Sequence, residues 1–191
     1  MKTIILASAS PRRSALLKQV GLRFKIDPTN YEERLDLQLA IDALARKISL
    51  EKATAAAARH KNALVIAADT LGILDGKLLV KPRSEQDAKA MLASLSGRSH
   101  TVVTGFAIID TATNKTVSRS VETRVTFKQL TSAEIDAYVK TGEPLDKAGS
   151  YAIQGIGSVI VEKIDGDFFN VVGLPLSALA EALKEFGINV L

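Results

Sequence analysis

Four residues suited to binding an anion stand where a short apolar run gives way to a predicted helix: Ser8, Ser10, Arg12 and Arg13. A strand that ends in small hydroxyl residues and enters a helix directs free backbone N–H groups and the positive end of the helix dipole at one point. The two arginines add positive charge where an isolated helix prefers acids. We therefore expect an anionic ligand here; the alternative is that Ser10 only caps the helix and the arginines are solvated.

Asp69 and Thr70 follow the apolar run 63–68, which is predicted to lie in the centre of a sheet and to end at the aspartate. Open α/β sheets bind ligands at the C-terminal ends of buried strands, and a carboxylate there can bind Mg²⁺ or position a water molecule. The alternative is that Asp69 is an ordinary turn residue. Sequence pattern alone leaves both interpretations open.

Other charged residues extend this set of candidate ligand groups. Lys52 and Lys81 are further cations, and Glu33 is a further carboxylate. Taken one at a time, each is explained by a solvated surface charge. Taken together, many basic groups, a few acids and no thiol suit a magnesium-bound polyphosphate.

The segment 143–157 is a long, glycine-containing stretch between a predicted helix and a predicted strand. Lys147, Tyr151 and Gln154 supply a cation, an aromatic ring and an amide that can bind the edge of a nucleobase. A flexible connection is the alternative, but a long loop with this polar mixture favours a functional role.

Composition excludes several classes of protein. The 191 residues are 47% hydrophobic and 24% charged, as in ordinary globular chains. The absence of cysteine excludes thiolate catalysis, disulfide frameworks and zinc-finger sets. The net charge of +4 is spread along the chain and tryptophan is absent, so we do not expect nucleic-acid binding. No segment approaches the roughly 20 apolar residues of a membrane span, and we expect a soluble cytoplasmic protein.

Helices and hairpins alternate along the sequence, which predicts an α/β fold with a mixed sheet and no linker between independent domains. The predicted elements, in chain order, are a strand at 3–7, a helix from Pro11 to Gly21, a strand at 23–27, one or two helices within 35–60, a strand at 63–68, a hairpin around Asp75-Gly76, a helix from Ser84 to Leu95, strands at 100–109 and 116–127, a helix opened by a capping box at Thr131, a strand at 158–164 and a helix at 175–186.

The motif Ala7-Ser8-Ala9-Ser10-Pro11-Arg12-Arg13 resembles the N-terminal signature of the Maf family of nucleoside triphosphate pyrophosphatases. Later blocks resemble the family in the same order: Ala67-Ala68-Asp69-Thr70, Lys81-Pro82, Leu95-Ser96-Gly97-Arg98-Ser99-His100, Asp146-Lys147-Ala148-Gly149 with Tyr151 and Gln154-Gly155, Lys163-Ile164-Asp165-Gly166-Asp167 and Val172-Gly173-Leu174-Pro175. The resemblance therefore extends over nearly the whole chain.

The resemblance implies a single domain over residues 1–191, with an elongated mixed sheet flanked by helices and two lobes around a central cleft. It also implies hydrolysis between the α- and β-phosphates of a nucleoside triphosphate, with Mg²⁺ or Mn²⁺ as cofactor and a homodimer as the oligomer. Arg12, Thr70 and Gln154 match the selecting positions of the branch that acts on dTTP and UTP.

Site roles follow from the same resemblance. Asp69 is expected either to accept a proton from water or to hold the metal, with Glu33 as the second carboxylate. The cations Arg12, Arg13, Lys52 and Lys81, together with Ser8, are expected to bind the phosphates, and Lys147 and Gln154 the base. A regulator that binds nucleotides or nucleic acid without catalysis, linked to septum formation, is the alternative function, and stepwise phosphate removal is a second enzymatic one.

Overall fold

The protein is described by a computed structural model that covers residues 2–31, 36 and 38–191. The strands within these residues are β1 (Thr3–Leu6), β2 (Phe24–Ile26), β3 (Ala63–Leu74), β4 (Lys77–Leu79), β5 (Ser99–Asp110), β6 (Thr116–Phe127) and β7 (Val161–Asp165). The α-helices are α1 (Pro11–Gln19), α2 (Ile41–Ala57), α3 (Glu85–Leu95), α4 (Ser132–Lys140), α5 (Phe168–Val172) and α6 (Leu176–Lys184). Short 3-10 turns occupy Glu143–Asp146, Ala148–Ser150 and Gly155–Ile160.

The strands form one mixed sheet with the order β2-β1-β3-β5-β6-β7, and β4 pairs with β3. β1 is parallel to both β2 and β3, whereas the β3–β4 and β6–β7 pairs are antiparallel. Parallel pairing requires long crossover connections, which here contain the helices α1 and α2. The predicted α/β class, with a mixed sheet flanked by helices, is confirmed.

The chain divides into two compact units, each made of separate stretches of sequence. The first unit contains Met1–Thr70, Val103–Val121 and Phe169–Leu191, and the second contains Leu71–Val102 and Glu122–Phe168. That residues 1–191 act as a single domain stays a prediction. Among the described residues, every helix is too short or too polar to cross a membrane.

One cluster in the core of the first unit, where α2 packs on the sheet, is built largely from alanine side chains. Ala53 and Ala56 of α2 are fully buried against residues of β1, β3 and β5 such as Ile5 and Val65. The contact between the helix and β5 is so close that a Cβ atom at Gly105 would overlap the backbone of α2. Helix α2 is therefore held in one position over the sheet.

Helix α1 begins at the predicted residue, Pro11, and ends at Gln19, two residues before the predicted Gly21. The Ser10 hydroxyl accepts a hydrogen bond from the Arg13 backbone N–H, and Pro11 occupies the first helical position. Gly21, which has a φ of 73°, follows the C-terminus.

The predicted end of β3 at Ala68 is wrong, because the strand continues to Leu74. Asp75 and Gly76 both have positive φ, as a two-residue hairpin turn requires, and the turn brings β4 alongside the second half of β3. β4 thereby supplies hydrogen-bond partners to residues 72–74. The parallel pairing with β1 nevertheless ends at Ile66, so Asp69 lies beyond the C-terminal end of β1 although it is inside a strand.

Three further elements differ from the predictions. The segment 143–157 contains short 3-10 turns, and the strand predicted to begin at Ser158 begins at Val161, because a turn occupies the residues before it. The five-residue helix α5 is not predicted, since one turn of helix carries no clear apolar periodicity. The strands β5 and β6, the helix α3 and the capping box at Thr131 are confirmed.

Candidate functional site

The loop between β1 and α1 is folded by its own serines. The Ser8 hydroxyl is buried and accepts a hydrogen bond from the Ser10 backbone N–H at 3.2 Å. Ser10 in turn caps α1 through the Arg13 N–H at 3.4 Å. Ser10 therefore caps the helix, as the alternative interpretation of this residue predicts, and the N-terminus of α1 lies close to Ser8.

The Arg13 guanidinium joins three separate segments of the first unit. Its three nitrogens donate to the Ser8 hydroxyl at 3.3 Å, to the Thr70 hydroxyl at 3.1 Å and to the Gly173 carbonyl oxygen at 2.8 Å. A planar guanidinium can hold several acceptors in a fixed arrangement, which an ammonium group cannot do. Arg13 therefore attaches the entrance of α1 to β3 at the residue directly after Asp69.

Two residues that sequence reasoning missed continue this network. The Thr70 and Thr104 hydroxyl oxygens are 2.9 Å apart, and the Thr104 hydroxyl donates to the Asn170 carbonyl oxygen at 2.8 Å. The Asn170 side-chain oxygen accepts from the Thr104 backbone N–H at 3.0 Å. A threonine inside the apolar β5 and an asparagine inside the apolar α5 are the signals that could have revealed them, because buried polar groups require partners.

Lys52 and Asp69 form an ion pair inside the first unit. Their Nζ and Oδ1 atoms are 2.5 Å apart, and the two side chains are only 13% and 9% exposed. Removing one partner of a buried ion pair leaves an uncompensated charge, which typically costs about 3–5 kcal/mol. The pair thus places a fixed carboxylate beside a fixed cation at the edge of the core.

The position of Lys52 follows from the helix that carries it. Lys52 lies one turn after Ile48, on the side of α2 where Ala53 and Ala56 are buried. A lysine on a buried helix face requires a partner for its charge. Because α2 packs closely on the sheet, Asp69 of β3 is within reach.

Arg12 contrasts with its neighbour Arg13. Its side chain is exposed and forms no hydrogen bond or ion pair with the residues that the structure describes. An exposed cation in the first turn of a helix is available to an anionic ligand. Arg12 can therefore contact a bound phosphate, while Arg13 holds the surrounding backbone.

The donor groups present fit a divalent metal that also contacts phosphate oxygens. Residues 2–31, 36 and 38–191 contain no group of three or more histidine, aspartate or glutamate side chains that could enclose an ion. Mg²⁺ needs no such enclosure, since it is usually held by one or two carboxylates, water and substrate phosphates. Asp69 is a suitable carboxylate, and Glu33 lies outside the described residues.

The remaining predicted residues, Lys81, Lys147 and Gln154, belong to the second unit. Lys81 follows β4 and is exposed, and the preceding Val80 carbonyl accepts a hydrogen bond from the Gly149 N–H at 3.0 Å. This bond joins the Lys81 segment to the loop that carries Lys147. Lys147 is paired with the neighbouring Asp146, and Gln154 is exposed.

Tyr151, whose aromatic ring was a candidate for binding the base, is buried and not available for stacking on a ligand. Its hydroxyl lies 2.8 Å from Nε2 of the buried His100, and both rings meet Phe127 edge-on. Burial lowers the pKa of His100 to about 4 and raises that of Tyr151. The imidazole is therefore neutral, and a single hydrogen bond joins it to the protonated tyrosine hydroxyl.

A model of the Maf-like protein family matches residues 3–186. The chain belongs to the Maf-like protein family. Two relatives of this Maf-like chain are named dTTP/UTP pyrophosphatase, one from Desulforamulus reducens and one from Methanococcoides burtonii. The first is 46% identical over 100% of both chains, and the second is 48% identical over 100% of this chain and 98% of its own.

A solved structure of a protein from Mycobacterium abscessus, described as a nucleoside-triphosphatase / dITP/XTP pyrophosphatase, overlaps 97% of each chain with a TM-score of 0.44 and 13% identity. That distant likeness adds nothing to the family assignment of the Maf-like chain. The assignment rests on the family match and on the two full-length relatives.

Proposed function

We propose that the protein hydrolyses dTTP and UTP between the α- and β-phosphates and releases the nucleoside monophosphate and pyrophosphate. The observation that carries the proposal is the buried Lys52–Asp69 pair, which lies next to Thr70, where Arg13 attaches the entrance of α1. Full-length relatives with 46–48% identity bear the name of this activity. A carboxylate, fixed cations and a helix N-terminus are together what hydrolysis of a polyphosphate requires.

The phosphates are bound by the residues around the start of α1. Arg12 is exposed in the first turn, and the N-terminus of the helix contributes the partial positive charge of its backbone N–H groups. Each well-made hydrogen bond between a cation and a phosphate oxygen is worth about 1.5–3 kcal/mol. Ser8 and Arg13 keep this surface in place, and Lys81 is the further cation that we assign to the phosphates.

The reaction adds water to the α-phosphorus and breaks the bridging bond to the β-phosphate. In one version of the step, a carboxylate oxygen of Asp69 accepts the proton that the attacking water loses, and pyrophosphate leaves with the electron pair of the broken bond. Lys52 forms the salt bridge with Asp69 and lies where it can also stabilise negative charge on the phosphates. In the other version, a carboxylate oxygen of Asp69 would be a ligand of a divalent metal ion.

A divalent cation, Mg²⁺ or Mn²⁺, supplies neutralisation of phosphate charge and acidification of bound water. Asp69 would hold it, together with phosphate oxygens and with Glu33 as the predicted second carboxylate. Lys147 and Gln154 are assigned to the base. A homodimer stays a prediction.

A regulator that only binds nucleotides is less well supported. Binding an anion requires the entrance of α1 and Arg12, but it does not require a carboxylate directed at the same region. Burying the charges of Lys52 and Asp69 has a large desolvation cost, and the resulting pair is seldom better for stability than apolar side chains of similar volume. Catalysis gives a reason for the pair to be present.

The decisive experiment is separation of the products. The purified protein is incubated with Mg²⁺ or Mn²⁺ and a panel of nucleoside triphosphates that includes dTTP, UTP, GTP and ATP. We expect dTMP or UMP with an equal amount of pyrophosphate. Orthophosphate with a nucleoside diphosphate would indicate stepwise removal instead, and unchanged nucleotide that binds to the protein would indicate a regulator.

A further inference from the structure

Glu143 is the centre of a hydrogen-bonded cluster in the second unit. Its Oε1 atom accepts from the Gly157 backbone N–H at 2.8 Å, and its Oε2 atom accepts from the Ile156 backbone N–H at 3.0 Å. Burial by itself raises the pKa of Glu143, but these N–H groups and the Tyr138 hydroxyl outweigh burial and hold the pKa below its ordinary value. The side chain is therefore an ionised acceptor for two consecutive backbone groups.

Tyr138 connects the same carboxylate to a second point of the loop. Its hydroxyl donates to Oε1 of Glu143 at 2.8 Å and accepts from the Ala152 backbone N–H at 3.1 Å. Burial raises the pKa of Tyr138, so the hydroxyl keeps its proton and can continue to donate. One tyrosine and one glutamate thus hold the backbone at Ala152, Ile156 and Gly157.

The contacts around this cluster are close enough to exclude side chains at two positions. A Cβ at Gly155 would overlap Oε2 of Glu143, and the residue has a φ of 78°, a region that other residues rarely adopt. A Cβ at Gly157 would overlap the Ala152 carbonyl oxygen and the Tyr138 hydroxyl. The backbone of the loop is packed directly on the two side chains that hold it.

Gln154 lies between the two anchored points, and its own side chain is exposed. Its backbone is extended, with a φ of −103° and a ψ of 158°. The path of the chain on either side of Gln154 is therefore set before any ligand binds. A residue on a backbone that is already ordered loses less conformational entropy when its side chain forms a hydrogen bond with a ligand.

We infer that Glu143 and Tyr138 are positioning residues that orient Gln154 toward the pyrimidine base and so produce the preference for UTP over GTP. This inference rests on the function proposed above, in which Gln154 binds the base. An amide on a fixed backbone discriminates between bases because a wrong base covers the amide without pairing with its polar atoms. An amide on a mobile backbone can adapt to either base. Glu143 and Tyr138 act through the loop and do not contact the substrate.

The test compares kcat/KM for UTP with kcat/KM for GTP in Glu143→Gln, with Glu162→Gln as the matched control on the exposed face of β7. The two oxygens of Glu143 accept from the Ile156 and Gly157 N–H groups and from the Tyr138 hydroxyl. In Glu143→Gln only one oxygen remains, and the NH₂ group that replaces the other faces a donor instead of accepting from it. We expect the UTP/GTP ratio to fall about tenfold in Glu143→Gln, mostly through KM for UTP, as for one lost hydrogen bond to a charged or oriented group. The control is expected to keep the wild-type ratio.

A second arm places Glu143→Gln in a Gln154→Ala background, because residues that act through one another are not additive. If Glu143 acts through Gln154, the double variant has the same UTP/GTP ratio as Gln154→Ala alone. A further drop in that ratio, or equal losses of UTP and GTP turnover in the single variant, would overturn the inference. Tyr138→Phe, which removes one hydroxyl, carries the same test if Glu143→Gln does not fold, with an expected change of about threefold in the ratio.

The inference and the proposed function fail in different ways. A wild-type protein that releases no pyrophosphate from any nucleotide overturns the proposed function and this inference with it. A wild-type protein that releases pyrophosphate from UTP, together with an unchanged UTP/GTP ratio in Glu143→Gln and Tyr138→Phe, overturns only the inference.

Discussion

In the first unit, Asp69 is held by the charged side chain of Lys52, whereas in the second unit Gln154 is held by hydrogen bonds to the backbone on either side of it. The carboxylate is thus fixed by a cation, and a bound metal ion can take the place of that cation as its partner. For Gln154, the fixed part is the backbone on either side, which is held by groups that have no contact with the amide.

This difference matches the chemistry that we assign to each group. A residue that accepts a proton or a metal needs a fixed position beside a fixed charge, so a buried ion pair suits it. A residue that recognises a base must keep one orientation, so anchoring its backbone suits it better. Four predictions test the comparison.

The largest effect is expected for Asp69→Asn, which keeps the shape of the side chain and removes its charge. kcat for dTTP should fall about 10³-fold, in the range for loss of a general base. Asp42→Asn, at an exposed ion pair of α2, is the matched control. Near-normal turnover of Asp69→Asn would remove this carboxylate from the mechanism. Titration with Mn²⁺ separates the two roles, because a weaker Mn²⁺ affinity is expected only if Asp69 is a metal ligand.

The second prediction concerns pH and the second unit. His100 has a pKa of about 4 in the folded protein and about 6.5 when unfolded, so the unfolded chain binds a proton that the folded chain excludes as the pH falls through this interval. Stability should therefore decrease from pH 6.5 to pH 4 by about 3 kcal/mol through this group. His100→Gln should lack this component. Urea unfolding of both proteins at pH 7 and pH 4.5 measures it, and identical pH dependence would contradict the prediction.

The third prediction compares two neighbouring arginines. Arg13→Lys loses the planar donors that join Ser8, Thr70 and Gly173, and we expect a loss of about 2 kcal/mol in the free energy of unfolding. Arg12→Lys, whose side chain is exposed, should change that free energy by less than about 0.5 kcal/mol. Urea denaturation of the two variants is the measurement. Equal losses would mean that Arg13 has no special structural role.

The smallest effect is expected for Thr104→Val, which leaves the buried Asn170 carbonyl without the hydroxyl that donates to it. The expected loss is about 1 kcal/mol. Thr104→Ser keeps the hydroxyl and should recover most of that loss. If the serine variant is as unstable as the valine variant, the methyl group of Thr104 matters and its hydrogen bonds do not.

Much of the fold could be predicted because its signals are local. The apolar run before Ser8, the serine cap and the proline at the start of α1 lie within a few residues of one another, and β1 and α1 begin and end close to where they were predicted. The end of β3 could not be predicted in this way. Its second half depends on pairing with β4, whose residues follow the turn at Asp75 and Gly76.

The candidate site was predicted as a set of residues but not as an arrangement. The resemblance named Ser8, Arg13 and Asp69, yet two of the three acceptors of Arg13 are 57 and 160 positions away along the chain, at Thr70 and Gly173. No local pattern connects residues at such separations. Glu143 was missed for a related reason, since a glutamate after a helix is ordinary until the loop folds back onto its carboxylate.

The amino-acid sequence alone therefore determined the α/β class, the helix caps, the hairpin turn and the inventory of groups able to bind phosphate. These depend on interactions between residues that are neighbours in the chain. Only the tertiary structure decided that Lys52 meets Asp69, that Arg13 braces the start of α1, and that Tyr138 and Glu143 hold the loop around Gln154. Those contacts depend on how helices and loops pack on the completed sheet, because a hydrogen bond or an ion pair needs its partners within about 3–4 Å.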